Sequence, residues 1–489
     1  MQIEQALQAL FARQRAAFAA RGTAVSLEER LDGLRRLEDA LLARRMELAR
    51  ALNADFKGRA FEETLVVEIF GCVDDIRHTR RKLKSWMRPR RVASNAGMWP
   101  SHSRVVYQPR GVVGVLGAFN YSIYLTLTPL IGALAAGNHV LAKPSELTPR
   151  AGAVMAELIG RIFRDDYVAL VNGDREFSQA FASLPFDHLV FTGSTGVGKR
   201  IMRQAAEHLT PVTLELGGRS PTIVAEDYPV KRAAAMIAHS KFLNAGQTCV
   251  APDHVWVPEG QRDEFLREAE QAIRTMYPKL VANSDYTHII NAREHARLSQ
   301  WLEDARARGA RIQSINPAGE DCTADNGVFP PTLVSDCPAD ARLLQNEIFG
   351  PILPVIGYRD LDEVIAAVNE GPRPLALYIF SDDAGTIDRV LSRTISGGVT
   401  INACALHSAQ HNLPFGGVGA SGIGRYHGFD GFETFSHKRA IFHASRWLPL
   451  ALMRPPYGRV MQWLIGTMLH QRPMRERLAH KSTRTSHTT

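Results

Sequence analysis

A thiol, a carboxyl group and two turns with flanking glycines are the parts of this sequence that can do chemistry. Cys249 lies in NAGQTCVAPDH, residues 244–254. A small, polar, glycine-containing loop of this kind can leave a sulfur accessible and bring backbone N–H groups up to it, as a nucleophile requires. Glu215 stands among apolar residues in LELGGRSP, residues 214–221. A carboxyl group in apolar surroundings holds its proton more tightly than in water, which suits a general base working near neutral pH. FTGSTGVGK, residues 191–199, reads as a strand ending at Gly193 and a helix beginning near Val197. That junction offers free N–H groups to a phosphate, although its G-x-x-G-x-G spacing differs from the usual dinucleotide fingerprint G-x-G-x-x-G. NEIFGPILPV, residues 346–355, sets an acid and an aromatic on a turn, so that Glu347 can hold ribose hydroxyls and Phe349 can lie on a flat ring. Taken singly, each segment also has a plainer reading: an inert buried thiol, an ion-paired glutamate, a strand-to-helix turn, a helix end.

Together these segments resemble the aldehyde dehydrogenase superfamily. The resemblance rests on ELGG followed by GQTC, on EIFGP, on FTGS, and on AKPSE at residues 142–146, in unbroken order over about residues 25–440. LPFGGVGASGIGRYHG and FETFSHKR, residues 413–438, resemble the class 3-type branch of fatty and aromatic aldehyde dehydrogenases, with the coniferyl aldehyde dehydrogenases as the nearest group. The resemblance implies a nucleophilic Cys249, a general base at Glu215 and an oxyanion-holding Asn120. It implies that Lys143 and Glu146 face the adenine ribose, that Gly193, Ser194 and Gly198 form the pyrophosphate turn, and that Glu347 and Phe349 meet the nicotinamide ribose. Tyr121 and Tyr124 are expected to line a pocket for a hydrophobic aldehyde. The implied reaction is NAD(P)-dependent oxidation of an aldehyde to its acid through a thioester on Cys249, with no metal. Members that pass the acyl group to coenzyme A lack a glutamate at the position of Glu215, so its presence favours water as the acceptor. A coenzyme A-acylating enzyme and a silent binding protein on the same fold are the alternatives. Four positions depart from the family's pattern: Ser122 where proline is usual, Arg219 where lysine is common, and Ala403-Cys404 where the branch usually reads Asp-Thr.

Those residues need elements to position them. Strand-like and helical runs alternate from Ser103 to about residue 400, as in a doubly wound parallel sheet. The expected fold is α/β: N-terminal helices and a Rossmann-type NAD(P) domain over 1–213, with a bridging hairpin at about 98–112. A catalytic domain over 214–400 follows, then a return to the cofactor domain and a small β oligomerisation segment over 401–445, and a basic amphipathic tail over 446–489. The tail holds eight Arg and Lys against Glu476 alone, so that of a net charge of +8 about +1 belongs to the rest. A basic tail says little about nucleic acid binding by the body, and none is expected. A packed helix to about residue 470 with a disordered tip is expected there, with weak peripheral contact to an anionic membrane as a further expectation. Five cysteines with no C-x-x-C pair indicate a reducing compartment. With no secretory signal at the start, the cytoplasm is expected, and the resemblance implies a homodimer. Glu146 should favour NAD over NADP, with Lys143 leaving NADP use open.

Overall fold

The computed structural model describes residues 2–448 and 454–469. They fall into two compact units, one of residues up to Arg88 with Tyr107–His437, the other of Pro89–Val106 with the described residues from Lys438 onward.

The first unit holds two sheets. In the six-stranded sheet the order is Gly422–Ile423, Val212–Leu216, His188–Gly193, Val112–Leu116, His139–Lys143, Val168–Leu170, all parallel except the first. Every residue of Val112–Leu116, His139–Lys143 and Val168–Leu170 is buried. Strands covered on both faces read as apolar runs, and that is how these runs read in the sequence. The chain leaves Val112–Leu116 toward one edge and later returns to its other side at His188–Gly193, which makes the gap between these two strands a topological switch point. Ligands of doubly wound sheets bind beyond the carboxyl ends of the strands at such a point.

The second sheet has seven strands in the order Arg311–Ser314, Thr332–Ser335, Ile352–Tyr358, His254–Pro258, Pro221–Val224, Ala376–Phe380, Gly398–Ile401, with only the first antiparallel. The chain crosses from the first sheet to the second between Leu216 and Pro221, so Gly217–Ser220 is the corner that joins them.

Helices Leu27–Asp55, Gly71–Trp86, Ser122–Ala136 and Pro149–Ile162 share one hydrophobic core with the first sheet. Thr64–Phe70 is a π-helical segment that runs directly into Gly71–Trp86, a feature often tied to function and absent from any pattern in the sequence. The helix after Gly193 spans Thr195–Ala206 and so begins two residues before the expected Val197.

The two strand-like runs around Pro109-Arg110-Gly111 part company. His102–Pro109 pairs with Arg90–Val92 and Ser436–His443 in a three-stranded sheet, while Val112–Leu116 enters the core of the six-stranded one. The cause is composition: the second run, VVGVL, is apolar throughout, whereas the first, HSRVVYQP, carries polar residues at both ends. In the second unit, Arg459–Met468 is a helix as expected, but none of its residues is buried, and Val460, Trp463, Met468 and the following Leu469 are more than half exposed. The expected packed helix is therefore an uncovered one: its apolar face meets none of the described residues closely enough to bury it. The expected tip lies outside the described residues. No described helix is long and apolar enough to cross a membrane.

Candidate active site

Three parallel strands deliver their carboxyl ends to one edge. Leu116 pairs in register with Lys143 on one side and with Phe191 on the other. Asn120, Lys143 and the Gly193–Ser194 turn therefore come off the same rim. Glu215 lies one strand further, paired with Thr192 and, across the other edge, with Gly422. Strand geometry thus places Glu215 one position from the glycine turn.

The glycine turn is open to a ligand. Ser194 caps the helix Thr195–Ala206 without its side chain closing the first turn. A Cβ on Gly196 would meet nothing within 4 Å, whereas one on Gly198 would come within 2.5 Å of Leu216. One glycine leaves space above the helix end; the other lets helix and sheet approach closely. Lys143 is buried and its Nζ lies 3.5 Å from a carboxylate oxygen of the exposed Glu146. Burial lowers the pKa of Lys143, with Glu146 working against the shift. These residues fit the adenosine half of a dinucleotide.

Glu347 and Phe349 lie at the corner between the sheets. The Gly218 N–H donates to Glu347 over 3.1 Å, and a Cβ on Gly217 would sit 1.9 Å from the same carboxylate. A side chain at 217 would displace the Glu347 carboxylate. Phe349 has a left-handed backbone (φ 46°) and its ring meets Phe119 edge-on at 5.8 Å. Burial pushes the pKa of Glu347 up to about 8.

Cys249 follows a tight turn. Asn244, Ala245 and Gly246 all have positive φ (52°, 49° and 71°), and a Cβ at 246 would meet the Gly350 carbonyl at 2.2 Å. The turn is held by Gln247, which donates to the His288 carbonyl at 3.0 Å and accepts from the Ile290 N–H at 3.0 Å. Burial, then the nearby carboxyl groups of Glu347 and Glu215, push the thiol up to about 12, while the N–H groups of Cys249 and Val250 pull it down. Glu215 is 3 % exposed, and neither of its oxygens has a hydrogen-bond partner among the described residues. Burial alone raises its pKa well above the ordinary carboxylate range.

Asn120 is buried, and its carbonyl accepts from Arg59 Nη1 at 2.8 Å and from Asn244 Nδ2 at 3.0 Å. Tyr121 is buried with its hydroxyl 3.0 Å from Thr248 Oγ1, beside the nucleophile loop. Tyr124 stands apart from that loop, its hydroxyl 3.5 Å from His427 Nε2, and its ring occupies space that a Cβ on Gly71 would enter at 2.9 Å. Cys404 is buried in the core of the second sheet. Among the described residues no cluster of three metal-ligating side chains occurs. Arg59, Glu68 and Asn244 were not among the expected site residues. Asn244 carried a signal, since asparagine before Ala-Gly tolerates the left-handed region.

The family model for the aldehyde dehydrogenase family matches residues 2–441. The chain belongs to that family. A probable coniferyl aldehyde dehydrogenase of Pseudomonas aeruginosa is 47% identical over 94% of this chain and 95% of its own length. A coniferyl aldehyde dehydrogenase of a Pseudomonas species is 45% identical over 91% and 92%. The solved structure described as the substrate-bound state of Staphylococcus aureus AldH superposes with a TM-score of 0.88 at 36% identity, covering 94% of this chain and 99% of that one. Betaine aldehyde dehydrogenase of the same organism, in complex with NAD+, gives 0.81 at 26% identity over 91% and 88%. The protein is an aldehyde dehydrogenase with the α/β architecture expected from its sequence.

The uncompensated Glu215 has a consequence for stability. Its folded pKa lies above the unfolded one, so the folded state keeps a proton that the unfolded state releases, and stability is lost as pH climbs from about 4.5 through the folded value. Glu215→Gln abolishes this loss. Its melting temperature should rise relative to the parent's from pH 5 to pH 8 and hold a constant offset below pH 4; a pH-independent difference would show that the carboxyl group is not held neutral.

Proposed function

We propose that the protein oxidises a hydrophobic aldehyde, aromatic such as coniferaldehyde or medium- to long-chain aliphatic, to the carboxylic acid with NAD(P), using Cys249 as nucleophile and Glu215 as base. The observation that carries this reading is the buried Glu215 carboxyl group, with no hydrogen-bond partner among the described residues and near enough to the Cys249 sulfur to raise its pKa. The names of the relatives support the aromatic substrate.

The residues divide the work. Cys249 gives its proton to water, and the thiolate sulfur bonds to the aldehyde carbon as the C=O π electrons move onto oxygen, giving a thiohemiacetal oxyanion. The Asn120 amide and the Cys249 N–H hold that oxygen; a donor of this kind contributes roughly 3–4 kcal/mol to the transition state. NAD(P), when bound, supplies the acceptor for the hydride that leaves this carbon. Lys143, Glu146, Gly193, Ser194 and Gly198 hold its adenosine and pyrophosphate, and Glu347 and Phe349 its nicotinamide ribose. A thioester on Cys249 remains. Glu215 takes a proton from water, whose oxygen attacks the thioester carbon; the C–S bond breaks and the acid leaves. Tyr121 lies beside Thr248 and lines the aldehyde side; Tyr124 lines it further out. Glu146 accepts from a ribose 2′-hydroxyl and repels a 2′-phosphate, so NAD is the better cofactor, with Lys143 moderating the repulsion.

The functional unit is a homodimer. The exposed apolar residues around the edge strand Gly398–Ile401, namely Ile395, Ile401, Leu406 and Leu413, support self-association. The uncovered helix Arg459–Met468, with Arg454 and Arg459 beside exposed Trp463 and Tyr457, supports weak contact with anionic lipid.

Four measurements check these assignments. Glu215→Gln should keep the first rapid release of NADH but slow steady turnover by about 10²–10⁴-fold, unrelieved by coenzyme A; acceleration of the parent by coenzyme A would favour the acylating alternative. Comparing kcat/KM for coniferaldehyde, benzaldehyde, hexanal and acetaldehyde should rank the last lowest. Glu146→Gln should raise the NADP:NAD ratio of kcat/KM several-fold, and an unchanged ratio would remove Glu146 from the ribose. Sedimentation with phosphatidylglycerol vesicles should carry part of the protein down at low salt and none at high salt; full recovery in the supernatant at low salt ends the lipid assignment.

A further inference from the structure

Arg59 is among the largest fully buried side chains of the protein, 1 % exposed. It lies in the short connection between the helix Leu27–Asp55 and the turn Phe61–Glu63, far in sequence from every motif described above. Its Nη1 donates to the Asn120 carbonyl at 2.8 Å and to Asn244 Oδ1 at 2.9 Å. Its Nη2 forms an ion pair with Glu68 at 2.9 Å, and its guanidinium carbon lies 4.8 Å from the Phe56 ring centre and 5.1 Å from that of Tyr121.

The partners of Arg59 continue the same bracing. Glu68, fully buried in the π-helical segment, accepts from the N–H groups of Ile123 at 2.8 Å and Tyr124 at 3.3 Å, so its charge sits on the N-terminus of the helix Ser122–Ala136. Glu63 accepts from the Asn244 N–H at 2.9 Å and from Thr287 at 3.0 Å. Asn244 Nδ2 in turn donates to the Asn120 carbonyl at 3.0 Å and to the Gln247 carbonyl at 3.1 Å. One carbonyl oxygen, that of Asn120, thus receives donors from the first helical layer and from the nucleophile loop. Both donors hold the Asn120 main chain, from which its side chain projects.

We propose that Arg59 is a positioning residue for the oxyanion-holding amide, registering the Asn120 loop against the Cys249 loop through the Asn120 carbonyl; this rests on the role assigned above to Asn120. A lysine cannot reproduce the fork, because one guanidinium nitrogen serves the carbonyl and Asn244 while another faces Glu68. Displacement of a reacting group by about 1 Å is worth about 10²-fold in rate.

The test uses the full chain, and reads the rate of the first NADH release, the KM for the aldehyde, the rate of Cys249 alkylation by iodoacetamide, and the melting temperature. Arg59→Lys should slow the first NADH release by about 10²-fold while alkylation stays within about threefold of the parent. In an Asn120→Ala background Arg59→Lys should cost little more, because the two act through one group. A full additional loss in that background, or a fall in alkylation parallel to the fall in NADH release, would overturn the proposal in favour of general loosening. So would an unchanged NADH release. If Arg59→Lys does not fold, Asn244→Gly removes the second donor to the same carbonyl while keeping a left-handed backbone, and it should give the same pattern at smaller size. An Asn120→Ala variant with parental NADH release would instead sink the role of Asn120 itself, a separate failure.

Discussion

A carboxyl group kept in a buried place without a partner is the constraint around which this site is arranged. Glu215 could have been satisfied by any nearby donor, and nothing among the described residues supplies one. Its strand explains how the position persists: the backbone of Val212–Leu216 is paired on both sides, so the ladder, and not the side chain, fixes where the carboxyl group stands. Buried polar groups left unpaired are uncommon and destabilising. Here burial raises the proton affinity of Glu215 well above that of an ordinary carboxylate, as the proposed role of base requires.

The neighbouring network follows the opposite rule. Around Arg59 the charges are compensated: the guanidinium pairs with Glu68, whose other oxygen accepts from the N–H groups of Ile123 and Tyr124, while Glu63 accepts from the Asn244 N–H and the Thr287 hydroxyl. Burial raises the pKa of both Glu63 and Glu68, with Arg59 opposing the shift in each. Such a cluster is rigid because any movement strands a charge. The protein thus sets a soft, uncompensated acid beside a stiff, compensated frame, and the frame carries the geometry.

This contrast decides how much of the molecule could be read in the sequence. Cys249, Glu215 and the turn at Gly193 could be singled out in the sequence because they sit in short motifs that follow one another in the order of the family's; taken one at a time, each has a plainer reading. The parallel sheet was legible more directly, since fully buried strands such as Val112–Leu116 are apolar at every position. Arg59 and Glu68 were not legible. They act on main-chain atoms of Asn120 and Ile123, about 60 and 55 residues away, and one backbone carbonyl looks like any other in a sequence. The π-helical segment Thr64–Phe70 has no residue signature of its own. The tail helix was legible as an element but not in its exposure, because an apolar face announces that it can be covered and not that it is.

The corner at Gly217–Gly218 ties two of these parts together. Glu347 rests on the Gly218 N–H, and after burial it is the largest influence raising the proton affinity of the Cys249 sulfur. Peroxides and other oxidants attack the thiolate and leave the thiol largely alone. While Glu347 keeps to its corner, the sulfur holds its proton more tightly, and a tightly held proton leaves less of the thiolate that oxidants attack.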